Sequence, residues 1–144
     1  MGDPARDLEQ WIPRLITVWR QHRAKGRPPQ GRHGRHQHDD EGRGLTPDEV
    51  REVAAGVKQL SLGLTRERQL AGARYMDDPK LLGAYLLFYW PVSYAQARAT
   101  LSELTTRPRA VLDLGSGPGP MAFAAMDAGA STVTAADRDR KTDV

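Results

Sequence analysis

The sequence predicts an α/β chain in which a helical lead-in precedes a single βαβ unit. Three observations lead there. Apolar residues recur at three- and four-residue spacing through most of the first hundred positions, which is the period of a helix. The pattern then switches at Ala110-Val111-Leu112-Asp113-Leu114 to a short apolar run of strand length. A glycine-rich turn follows that run, and a short helical stretch and a second strand-like run come after it.

Taken in order, residues 4–25 form an amphipathic helix with Leu8, Trp11, Ile12, Leu15, Ile16 and Trp19 on one stripe. Pro13 lies inside the stripe and is expected to open the helix or kink it. Residues 26–44 hold five Gly and two Pro and lack aliphatic side chains. Such a tract cannot bury enough apolar area to offset its ordering entropy, so it reads as a disordered basic linker. His33, His36 and His38 fall within it, and a polar tract with no supporting shell predicts no metal site.

A helical lead-in is expected over residues 45–107. Thr46-Pro47-Asp48-Glu49 combines a capping threonine, a first-turn proline and a glutamate placed to complete a capping box. Val50, Val53, Val57 and Leu60 would form the buried stripe, with a break near Gly63 and Thr65. A second helix is expected from Arg66 to about Tyr75. Asp77-Asp78-Pro79 caps a third, apolar nearly all round and closed by Pro91. A fourth starts near Ser93 and presents Tyr94, Ala97, Leu101 and Leu104. Within residues 108–144, the first strand is Ala110–Leu114 and a helix follows from about Met121 to Ala128, stopped by Gly129. The second strand runs from Ser131 to Ala136 and ends at Asp137.

Composition narrows the function classes. The 144 residues include no cysteine, which excludes disulfides and thiolate metal sites and predicts an intracellular, cytoplasmic protein. The longest apolar run, Leu81 to Val92, is shorter than a membrane span and is broken by Gly83 and Pro91. The net charge of +3 sits in residues 1–44, which hold nine Lys/Arg and six Asp/Glu. Six of those cations lie between Arg20 and His38 with no acid among them, a run able to touch RNA phosphates without reading sequence.

The chemistry concentrates in Asp113-Leu114-Gly115-Ser116-Gly117-Pro118-Gly119-Pro120. Glycines allow a tight turn and close approach of backbone to a ligand, and the following helix aims its N–H groups at the loop. Asp137 comes 24 residues after Asp113, at the tip of the second strand, where a carboxylate can hold a ribose. A dinucleotide site would show G-x-G-x-x-G, yet Pro120 stands at its last position and the glycines fall at 115, 117 and 119. A buried Asp113 also suits a ligand bearing ammonium and sulfonium centres better than a pyrophosphate. An NAD-binding protein and an ordinary glycine turn remain the alternatives.

This segment resembles motif I of class I S-adenosylmethionine-dependent methyltransferases. The resemblance covers about residues 108–138 and implies a Rossmann-like sheet. It implies that Asp113, Gly115, Ser116, Gly117 and Gly119 line the methionine part of S-adenosylmethionine and that Asp137 holds the ribose. Tyr94, at the start of the preceding helix, could face the same pocket. The stretch from Tyr85 to Arg98, with its Pro91-x-x-Tyr94-Ala95 segment, is similar to a ribosome-linked methyltransferase-like family known from mitochondria and bacteria. That similarity implies the small ribosomal subunit or its RNA as partner, in a catalytic role or as a non-catalytic assembly factor. The family's cysteine cluster has no counterpart here. A complete class I sheet has about seven strands, of which two can be placed, so the chain is expected to be a fragment with no methyl-transfer activity of its own and no nameable catalytic base.

Overall fold

The computed structural model describes residues 2–26, 44–65 and 75–137. The expected linker, its three histidines, the helix expected from Arg66 and the residues after Asp137 lie outside those ranges, apart from the end positions 26, 44 and 75. The described part is mixed α/β and mostly helical, with one two-stranded parallel sheet. No described helix is long and apolar enough to cross a membrane.

The chain divides into two compact units, Ile12–Leu87 and Met1–Trp11 with Phe88–Val144. Helix α1 (Pro4–Lys25) gives its first turns to one unit and the rest to the other. Pro13 sits inside α1 without ending it, at the loss of one ladder hydrogen bond.

In the unit Ile12–Leu87, Leu15, Ile16, Trp19, Val53, Leu60, Leu81, Ala84 and Leu86 are buried. Helix α2 (Pro47–Thr65) starts with the expected capping box: Glu49 N–H donates to Thr46 Oγ1 at 3.2 Å, and Thr46 N–H donates to Glu49 Oε2 at 2.9 Å. Glu49 does more than cap. Arg20 grips it with Nε at 2.9 Å and Nη2 at 2.7 Å, and Arg23 reaches both Glu49 and Glu52. The stripe of α2 is narrower than the spacing predicts, because Val50 is half exposed while Glu49 beside it is buried. The helix also runs past Gly63 to Thr65.

Helix α3 (Pro79–Ala84) packs on α2 and starts at the expected cap, with Lys80 N–H donating to Asp78 Oδ1 at 2.9 Å. Gly83 is required by close approach, since a Cβ there would run into the indole of Trp19. Pro91 does not end the helical run. A π-helical segment, Tyr85–Tyr89, leads into α4 (Trp90–Ser102), and Pro91 occupies the first turn of α4. A proline clashes with the carbonyl four residues back, and a wider turn just before it relieves that clash. The all-round burial expected here fails at Phe88, which is 47% exposed.

In the other unit, α4 packs on α5 (Pro120–Asp127), and α5 packs on strands β1 (Ala110–Leu114) and β2 (Thr132–Ala136). The strands pair in parallel, Ala110 opposite Thr132 through Leu114 opposite Ala136. Val111, Asp113 and Val133 turn toward α5 and are half-buried. Leu112 and Leu114 lie on the other face, 60% and 74% exposed, so the expected burial of β1 holds on one face only. Leu104 is exposed beyond the end of α4, whereas Arg98, absent from the expected inner face, is buried. It donates to Asp7 Oδ2 at 2.7 Å and to the Gly2 carbonyl at 3.0 Å.

The Arg20 bond, aided by the Thr46 N–H and the charges of Arg20 and Arg23, holds the Glu49 carboxyl near 2 against an ordinary 4.5, although burial pushes the other way. The folded pKa is depressed, so its stabilisation is complete above about pH 4.5 and is lost as pH falls toward 2. Its size is at most about 3 kcal/mol. In an acid titration followed by circular dichroism, Glu49→Gln should lower stability at neutral pH and remove most of the wild type's loss between pH 4.5 and 2. Parallel curves for the two proteins would contradict this.

Candidate functional site

The loop joining β1 to α5 takes a left-handed backbone at three positions, each filled by a glycine. Gly115, Gly117 and Gly119 have φ of 72°, 52° and 78°. The demand is strictest at Gly119, the N-cap of α5, where a Cβ would meet Phe123 at 3.4 Å and the backbone would be strained as well. At Gly115 a Cβ would meet nothing within 4 Å among the described residues, so the loop borders open space there with respect to them.

The loop is tied to the end of β2. Gly115 N–H and Ser116 N–H both donate to the Ala136 carbonyl, at 2.7 and 3.2 Å. Gly117 N–H donates to Asp137 Oδ2 at 2.8 Å, and Gly119 N–H closes a turn onto the Ser116 carbonyl at 2.9 Å. The structure therefore brings Asp113, Gly115, Ser116, Gly117, Gly119 and Asp137 to one edge of the sheet. Ser116 is buried; Asp137 is exposed.

Asp113 takes the role that a side-chain cap would otherwise fill. Gly119 has no side chain with which to cap α5, and Pro120 has no N–H. The Asp113 carboxylate accepts from the backbone N–H of Ala122 instead, in the first turn of α5. Its Oδ2 is enclosed and has no hydrogen-bond partner among the described residues. Burial raises the Asp113 carboxyl above its ordinary value; the Ala122 N–H acts against that, and the charge of Asp137 reinforces it. Two carboxylates thus face the site, one of them short of a partner.

Tyr94 stands apart from this group. Its ring is fully buried and stacks on Trp90 at 5.4 Å, with the planes 13° apart. Its hydroxyl donates to Asp127 Oδ2 at 2.6 Å, at the last residue of α5, roughly 10 Å along the helix from the loop. The expected orientation toward a cofactor pocket gives way to this stronger buried bond. Burial first, and then the bond to Asp127, raises the Tyr94 hydroxyl well above its ordinary value. Trp11 Nε1 donates to the same Asp127 oxygen at 2.7 Å.

No family model, no curated protein and no solved structure matches this chain. Among the described residues no group of three or more His, Asp or Glu could hold a metal ion. Sequence reasoning missed one contact at the site: Trp90, 1% exposed, donates its indole N–H to the Pro118 carbonyl at 3.0 Å. The only signal for it in the sequence is a tryptophan at the end of an apolar run, directly before Pro91.

Gly119→Ala should destabilise the unit by about 1–2 kcal/mol, the cost of a side chain in the left-handed region. Thermal unfolding followed by circular dichroism measures this, and an unchanged midpoint would show that the φ of 78° at Gly119 is not required.

Proposed function

We propose that β1, the glycine loop, α5 and β2 bind S-adenosylmethionine, and that the chain carries the cofactor-binding unit of a Rossmann-like, class I methyltransferase. The observation behind this reading is the carboxylate of Asp113 at the N-terminus of α5. A pyrophosphate needs free N–H groups and positive potential at that place. Here Pro120 supplies no N–H, the Ala122 N–H is taken by a carboxylate, and the Gly117 N–H is taken by Asp137. The anion seat of a dinucleotide site is filled by the protein's own acids, which argues against NAD.

A cationic ligand meets the opposite situation. An ammonium or sulfonium centre beside Asp113 Oδ2 would supply the partner that this enclosed oxygen lacks. Open space at Gly115 allows ligand and backbone to approach closely. Asp137 is exposed after β2, and in this reading its carboxylate accepts from the ribose hydroxyls. S-Adenosylmethionine supplies an activated methyl group on a good leaving group, so these residues need only hold and orient the ligand. The methyl acceptor proposed is the RNA of the small ribosomal subunit or a component bound to it, on the strength of the sequence resemblance and the basic run from Arg20.

A second reading, a non-catalytic RNA-binding or ribosome-assembly factor with the same fold, is favoured by one observation. Asp137 already holds the Gly117 N–H, so the loop closes on itself with no ligand needed to complete it. In a protein that also carries the remaining strands of the sheet, incubation with labelled cofactor and small-subunit RNA separates the two readings, because only the first transfers label.

Isothermal titration calorimetry should show S-adenosylmethionine binding in preference to NAD, with Asp137→Ala weakening it by about 1–3 kcal/mol, the usual cost of stranded hydrogen-bond partners. Unchanged affinity in Asp137→Ala would overturn the ribose assignment, and preference for NAD would overturn the cofactor.

A further inference from the structure

The carbonyl of Pro118 lies in the middle of the glycine loop, and Pro118 is buried. Its neighbours in the loop donate their N–H groups to the Ala136 and Ser116 carbonyls and to the Asp137 carboxylate, and the Pro118 carbonyl accepts from the Trp90 indole at 3.0 Å. Trp90 is itself fixed. It stacks on Tyr94 and lies 6.3 Å from Trp11 and 6.0 Å from Phe123, which projects from the first turns of α5. Tyr94 and Trp11 are in turn anchored on Asp127. The loop thus has a rigid aromatic backing that meets it at one polar atom.

We infer that Trp90 is a positioning residue for the glycine loop, holding it through the Pro118 carbonyl in the one conformation that receives the ligand; this deepens the S-adenosylmethionine reading and rests on it for the ligand's identity. A loop with three left-handed glycines has many accessible conformations when unrestrained. Each conformation removed before binding is entropy that the ligand need not remove. Trp90 acts through the loop.

The test compares Trp90→Phe with Trp11→Phe in the full chain. Both lose one indole donor from the same aromatic cluster, but the Trp11 donor serves Asp127 at the far end of α5. Amide hydrogen exchange is read at Gly115, Ser116, Gly117 and Gly119, whose N–H groups are all hydrogen-bonded in the structure. Trp90→Phe should speed exchange at these four roughly tenfold or more, while Trp11→Phe leaves them within about twofold. Equal effects of the two variants on the loop, or none in Trp90→Phe, would overturn the inference.

If Trp90→Phe fails to fold, the wild type decides. The Trp90 indole proton should exchange as slowly as the loop amides, and rapid exchange of that proton would overturn the inference. Calorimetry with S-adenosylmethionine adds the functional readout, with an affinity loss of roughly tenfold expected in Trp90→Phe alone. Absence of binding in the wild type would count against the proposed cofactor, and the exchange comparison would still decide the role of Trp90.

Discussion

At the junction of β1 and α5 a carboxylate sits at a helix N-terminus, accepting from the Ala122 N–H. The loop between the strand's end and the helix's start turns through left-handed glycines at 115, 117 and 119. With Pro120 at the first helical position and no side chain at Gly119, Asp113 is the group that satisfies the helix end. The same arrangement makes the site electronegative, and the charge of Asp137 adds to it. Structure and proposed ligand preference thus follow from one interaction.

Behind the loop, a polar chain runs through an otherwise aromatic core. Asp7 pairs with Arg98, Arg98 touches the Tyr94 hydroxyl, and Tyr94 and Trp11 share Asp127. The Arg98 guanidinium is fully buried, and removing one partner of a buried ion pair leaves an uncompensated charge. The bonds from Arg98 to Asp7 and to the Gly2 carbonyl join residues more than ninety positions apart, which explains why the first turns of α1 belong with α4 and the sheet.

What was legible in the sequence was local. The Thr46–Glu49 box and the Asp78-Pro79 start rest on contacts within a few residues and appear as expected, and a short apolar run marks the limits of β1. The positions of the three loop glycines carried the site for the same reason. Long-range partners were not legible. Nothing near Arg98 announces Asp7, nothing near Trp90 announces Pro118, and spacing alone placed Val50 on the buried stripe where Glu49 lies instead. Pro91 misled because proline is compatible with a first helical turn as well as with a helix end, and the π-helical segment before it decides which. Tyr94 misled because its hydroxyl's true partner lies 33 residues further on.

The central claim is that the acids at this loop select a cationic nucleoside ligand over an anionic one. The most direct measurement is a titration of the ¹⁵N-labelled chain, by nuclear magnetic resonance, with S-adenosylmethionine and, separately, with NAD. The amides of Gly115, Gly117, Gly119 and Ala122 should move with S-adenosylmethionine and stay in place with NAD. Movement of the same amides with NAD alone, or shifts confined to residues away from the loop, would contradict the account.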